Sequence, residues 1–146
     1  MATTTENCNI TFWKYEMENN KECHSRLYVV CKKALNDEPL DIGHSMLSVG
    51  HSVAIAFNEW LGTPDFETWR MSSFRKVVCQ AEEKVFEAVK KKLTEAEIPF
   101  KVCGEEFFGP DAEIALVVFP LEKEMTPRCL LFLQPWGREK KDNVEK

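Results

Sequence analysis

The run Gly43-His44-Ser45-Met46-Leu47-Ser48-Val49-Gly50-His51-Ser52-Val53-Ala54 follows an apolar, strand-like segment and has the spacing of a helix. At about 100° per residue, His44, Ser48 and His51 fall within roughly 60° of one another, while Met46, Val49, Val53, Phe57 and Trp60 gather on the opposite side. The pattern predicts a helix from Gly43 or His44 to Leu61 that buries the second set and turns the polar line away from the core. Gly62-Thr63-Pro64 ends it, because glycine accepts the left-handed cap and proline cannot continue the hydrogen-bond ladder. Such a polar line is the ordinary solvated face of an amphipathic helix, and here it is also a candidate active-site edge.

Working outward, Arg26 to Lys32 (RLYVVCK) is β-branched and nearly continuous in its apolar centre, which suits a strand buried on both faces. Asn36 to Gly43 is the loop that delivers the chain to the helix. Downstream, Phe74 to Gln80 (FRKVVCQ) is a second strand. Glu82 to Ala96 is an amphipathic helix with Val85, Phe86, Val89, Leu93 and Ala96 on one stripe and charged residues opposite. Phe100 to Cys103 begins a third strand, a loop spans Gly104 to Pro110, and Glu113 to Phe119 (EIALVVF) is the most strand-like run of all. Pro120 to Pro127 reads as a turn or short helix, and Cys129 to Gln134 (CLLFLQ) as a last strand. The alternation predicts an α/β fold: one three-layer α/β/α domain over 26–136, with a small mixed sheet of about four strands and Glu113 to Phe119 central. Residues 1–25 form an N-terminal extension, apolar enough to dock back on the domain, and 137–146 a charged tail.

The 146 residues include four Trp and ten Phe within 44% apolar content, enough for one proper core. Net charge is −5, from 24 acids against 19 bases, so no global basic field advertises nucleic-acid binding. Any RNA contact has to come from a local patch, for which Lys32, Lys33, Arg70, Arg75 and Lys76 are the candidates. The first residues lack the basic flank and apolar run of a signal peptide, and no apolar stretch approaches the roughly 20 residues of a membrane helix, so a cytoplasmic protein without membrane contact is expected. Six scattered cysteines, Cys8, Cys23, Cys31, Cys79, Cys103 and Cys129, read as reduced thiols. Cys23-His24 with the helix histidines fits no common zinc spacing, so neither a metal nor a cofactor is expected.

There is no Gly-rich phosphate loop, no Gly-x-Ser-x-Gly elbow, no His-Glu-x-x-His helix and no EF-hand loop, and several large enzyme classes drop out. The histidine helix begins on the C-terminal side of the first strand, the edge where open α/β sheets bind ligands. An imidazole titrates near pH 6.5 when unperturbed, which makes His51 the best candidate for a general base or for polarising a carbonyl.

The chain resembles the type II peptidyl-tRNA hydrolase superfamily over roughly Arg26 to Gln134. That family carries G-K-x-x-x-Q-x-x-H-A on the helix after its first strand. Gly43 and His51 match its Gly and His in register, with His44 at the family lysine, Ser48 at its glutamine and Ser52 at its alanine. Arg75-Lys76-Val77-Val78 is similar to its K-K-V-V strand, and Leu116-Val117-Val118-Phe119-Pro120 to its L-A-I-G-P strand end. The family loop D-A-G-R-T-Q-x-x-P-G is altered: Gly104 and Pro110 match its Gly and Pro, but Val102 falls at the aspartate, Glu105 at the arginine and Glu106 at the threonine.

The resemblance implies hydrolysis of the ester between a peptidyl or aminoacyl group and tRNA. His51 would be the acid/base, Ser48 or His44 would position the carbonyl or phosphate, and Glu105, or else Glu106, would orient the imidazole. Lys32, Arg75 and Lys76 would contact tRNA. The altered loop and missing lysine match relatives that keep the scaffold without the D-A-G-R-T-Q loop. They leave open a second class: a non-catalytic binding or adaptor domain, as a homodimer or a subunit recognised through Phe107, Phe108 and Trp136.

Overall fold

The computed structural model describes residues 23–109 and 111–136. Strands β1 (Arg26–Lys32), β4 (Arg75–Ala81), β5 (Phe100–Gly104), β6 (Glu113–Val118) and β7 (Gln134–Pro135) form one mixed sheet in the order β5-β6-β1-β4-β7. β1 and β4 run parallel, with Arg26 opposite Arg75 and Lys32 opposite Ala81; the remaining pairs are antiparallel. Between β1 and the first helix, β2 (Ala34–Leu35) and β3 (Glu38–Pro39) make a small hairpin. Its two turn residues, Asn36 and Asp37, both have positive φ, the conformation a two-residue hairpin requires and one that Asn and Asp tolerate.

Among the described residues four α-helices cover the sheet: α1 (Ile42–Trp60), α2 (Pro64–Met71), α3 (Glu83–Glu95) and α4 (Arg128–Leu131). On one face α1 and α2 enclose Leu27, Val29, Cys31, Phe66, Trp69, Ala115 and Val117. On the other, α3 and α4 enclose Tyr28, Val30, Cys79, Phe86, Leu116, Val118 and Leu130. The α/β/α layering is therefore the expected one. β1, with a partner on each side and a side-chain set buried on both faces, is the central strand; β6 lies next to it, one place from the expected centre.

One expectation fails for a local reason, and one residue does more than was expected of it. Cys129 to Gln134 is not one strand: α4 takes up Arg128–Leu131, and only Gln134–Pro135 pairs, opposite Cys79 and Gln80, giving five strands in place of about four. A short apolar run of this length fits either element, and a helical turn after Pro127 buries Leu130 while leaving Leu131 and Phe132 outside. Pro64 does more than terminate α1, since it occupies the first turn of α2, where its missing N–H costs nothing.

A second correction concerns α1 itself. Its buried line is Ser45, Ser48, Ser52, Ala56 and Trp60, and Met46 is 65% exposed. Cys103, Ala115 and Cys31 lie abreast across β5, β6 and β1 on the face α1 covers, so the sheet presents a row of small side chains there. Small meets small, the helix seats closely, and Val49, Val53 and Phe57 are left at the flank, partly buried. In α3 the buried stripe is Phe86, Val89 and Leu93, while Val85 and Ala96 lie outside it. The N-terminal extension up to residue 22, Cys8 and the 137–146 tail lie outside the described residues.

Candidate functional site

The C-terminal ends of the parallel strands β1 and β4, the start of α1, the end of β5 and the start of β6 meet at one edge of the sheet. Between Cys103 and Gly104 the β5–β6 register shifts. A Cβ at Gly104 would stand 3.0 Å from the Ala112 carbonyl oxygen, so the close approach of the two strands there requires glycine. The chain then passes through Glu105 into a single 3-10 turn, Glu106–Phe108.

Out of this bend Glu105 faces α1. Its side chain is 14% exposed and its Oε2 lies 3.8 Å from Nε2 of His51, which is 49% exposed. That oxygen is withdrawn from solvent and has no hydrogen-bond partner among the described residues. A buried carboxylate oxygen without a donor is costly, and a small rotation of the half-exposed imidazole brings an N–H to it. The two groups face each other at ion-pair distance without a hydrogen bond between them. Glu106, by contrast, is exposed at the start of the 3-10 turn.

Beneath the pair lie Ser52 and Cys103, both buried. Burial pushes the Cys103 thiol up, the Ser52 hydroxyl beside it draws it down, and the charge of Glu105 pushes it up again; the net direction is upward. Cys103 is thereby held as a neutral thiol rather than a nucleophile. Cys31, abreast of it across Ala115, is pushed up to about 12 by burial and by the neighbouring Cys103 and Cys79 thiols.

His44 and Ser48 do not join His51. Asp41 caps α1, accepting from the His44 backbone N–H at 2.8 Å through Oδ1 and meeting His44 Nδ1 at 2.5 Å through Oδ2. These contacts, the backbone one first, hold the Asp41 carboxyl below the usual range. The His44 ring stacks on Phe107 with centroids 4.7 Å apart and meets the edge of Phe108 at 5.0 Å. Ser48, expected to face away from the core, is fully buried, and its hydroxyl donates to the His44 carbonyl at 2.9 Å. The small-residue packing of α1 rotates Ser48 inward, and its only proton is spent on the helix backbone.

The basic candidates do not form one patch. Lys32 ends β1 and Lys33 follows it, whereas Arg75 and Lys76 begin β4; with Lys32 opposite Ala81, the two groups lie about 20 Å apart along the strands. Lys33 donates to Gln134 Oε1 at 2.9 Å, and Arg70 is paired with Glu67 at 2.7 Å. Lys76 lies over the Phe74 ring at 3.2 Å, and burial lowers its pKa. Of the exposed-aromatic candidates, Phe107 is open to solvent, Phe108 is half-buried, and Trp136 lines an apolar cleft of about 340 Å³ with Met46, Val49 and Val78.

Asp41 was legible in the sequence as an N-cap three residues before His44, a spacing that sequence reading passed over. Among the described residues no group of three or more His, Cys, Asp or Glu is arranged to hold a metal ion, and no helix is long and apolar enough to cross a membrane. No protein-family model matches the chain, and none of the curated proteins compared is similar to it.

Proposed function

We propose that the chain is an ester hydrolase of the peptidyl-tRNA hydrolase type, cleaving the bond between a peptidyl or aminoacyl group and tRNA. The observation that carries this reading is the His51–Glu105 pair: a half-exposed imidazole against a nearly buried carboxylate whose inner oxygen lacks a donor. With Nε2 turned to Glu105, Nδ1 is the basic nitrogen. It takes a proton from a water as that water attacks the ester carbonyl, and returns it to the departing ribose oxygen, while Glu105 balances the transient imidazolium. The buried serines and the neutral Cys103 thiol supply no nucleophile, so water is the attacking group. The exposed Phe107 ring, stacked on His44, offers a flat face to a nucleobase. The tRNA part of the reading is supported by the sequence resemblance around Gly43 and His51.

A second reading, a binding or adaptor domain without catalysis, is favoured by the separation of Arg75 and Lys76 from this edge and by the absence of a fixed cation at His44. Release of label from peptidyl-tRNA separates the two. In a hydrolase His51→Ala lowers release by about 10²- to 10⁴-fold, and Glu105→Gln by less. Both variants keep the fold, because His51 is half-exposed and Gln retains the shape of Glu105. Equal release by wild type and His51→Ala overturns the hydrolase and leaves the binding domain.

A further inference from the structure

On the opposite face of the sheet, at the same edge, an open cavity of about 510 Å³ lies between the end of β1, the first turns of α3 and the start of β6. Lys32 and Lys90 line it together with four carboxylates, Glu83, Glu87, Asp111 and Glu113. Lys90 is already neutralised, by Glu113 at 2.5 Å and Glu87 at 3.6 Å. Glu83 accepts the Asn36 backbone N–H through Oε1 at 2.8 Å, and its other oxygen has no partner among the described residues.

Lys32 is the exception. Its residue is only 7% exposed, and its ammonium lies over the Phe86 ring, 4.8 Å from the centroid. Among the described residues it has no hydrogen-bond acceptor and no carboxylate within ion-pair distance. The stem of Lys32 is buried while its ammonium opens on the cavity, where the aromatic face meets only part of the charge. Because Lys32 lines the cavity, the missing anionic partner can enter from solvent.

We infer that this cavity binds a free α-amino acid, its carboxylate on Lys32 and its ammonium among the unspent carboxylates led by Glu83. The two lysines are outnumbered by four acids, so a phosphate dianion is repelled here and a single carboxylate accompanied by its own positive charge is not. Leu35 and Phe108 give the wall an apolar portion for a side chain. This binding is independent of His51 and stands whether or not that residue hydrolyses an ester.

The probe is leucine, titrated into the isotopically labelled full-length chain while the amide resonances of the lining residues are followed. Saturable shifts with a Kd on the order of 1 mM are expected, the range of a small ligand held by two charged contacts. Leucine amide, lacking the carboxylate, and N-acetyl-leucine, lacking the ammonium, should each bind at least about tenfold more weakly. Lys32→Met, close in shape, should weaken leucine binding by a similar factor, and Glu83→Gln by about threefold or more. The two analogues test the same contacts on the unaltered chain, so the outcome does not depend on the fold of a variant. Absence of saturable shifts with leucine overturns the proposal, as does binding of either analogue or of a folded Lys32→Met chain at leucine's affinity.

Discussion

Helices α1 and α3 cover opposite faces of one sheet and do so with different side chains. α3 buries Phe86, Val89 and Leu93 against Tyr28, Val30, Leu116 and Val118, large on large. α1 buries Ser45, Ser48, Ser52 and Ala56 over Cys31, Cys103 and Ala115, small on small, with Trp60 the one large residue of its buried line, and leaves Ile42, Met46 and Leu47 outside. The first contact is held by buried apolar area, the second by closeness. Closeness is what brings a polar helix side chain such as His51 to Glu105 at the end of β5. The face with the weaker hydrophobic pattern is therefore the face that carries the candidate site.

The contrast can be broken first at its stable end. Phe86→Ala removes a fully buried ring from the α3 face and should cost about 3–5 kcal/mol in denaturant unfolding. A cost under about 1 kcal/mol would mean that α3 is not held by large side chains. On the α1 face the damaging change is addition. Ser52→Leu, at a fully buried position beside Cys103, should cost about 1–3 kcal/mol through overpacking and should displace His51 from Glu105, which histidine chemical shifts would report. A neutral Ser52→Leu would show that the helix does not seat as closely as its small residues imply.

Alkaline titration probes both faces together. Burial, joined by the neighbouring thiols, pushes Cys31 up to about 12, and burial pushes Cys79 up to about 11, against an ordinary value of 9.0. Above pH 9 the unfolded chain loses these protons while the folded chain keeps them. The unfolded state then binds fewer protons, and stability falls as pH rises from 9 toward 12. Between pH 9 and 10 the loss is on the order of 1 kcal/mol per thiol, seen as a lower urea midpoint, and Cys31→Ala should flatten the slope. A midpoint constant over that interval would place the thiols in contact with water. The smallest effect is expected at Met46→Ser, within about 0.5 kcal/mol, because this residue of the expected apolar face is exposed. A cost of 2 kcal/mol or more, well above the roughly 0.5 kcal/mol of an ordinary surface change, would restore Met46 to a buried contact.

His44 and His51 show where sequence reading stops. Both lie on one helix two turns apart, with the same intrinsic chemistry. Asp41 and Phe107 immobilise His44 at the cap, while His51 stays half-exposed against a carboxylate more than fifty positions later in the chain. Glu105 was legible as a partner only through its place in a loop before β6. Ser48 was misplaced because helical periodicity ranks residues by their own hydrophobicity. The sheet ranked them by size, through Cys31, Cys103 and Ala115.

The chain's local patterns determined the alternation of elements, hence the three layers, the strands β1, β4, β5 and β6, and the extents of α1 and α3 to within a residue or two. Those features follow from side-chain period and from Gly and Pro punctuation, which act over a few residues. Only the tertiary structure decided which face of α1 is inside, that Lys32 and Arg75 end up at opposite ends of the sheet, and that, among the described residues, Lys32 meets no acid of its own while Lys90 meets two. Each of these is a meeting of residues far apart in sequence. Register and close packing fix such meetings, and neither is written in any single segment.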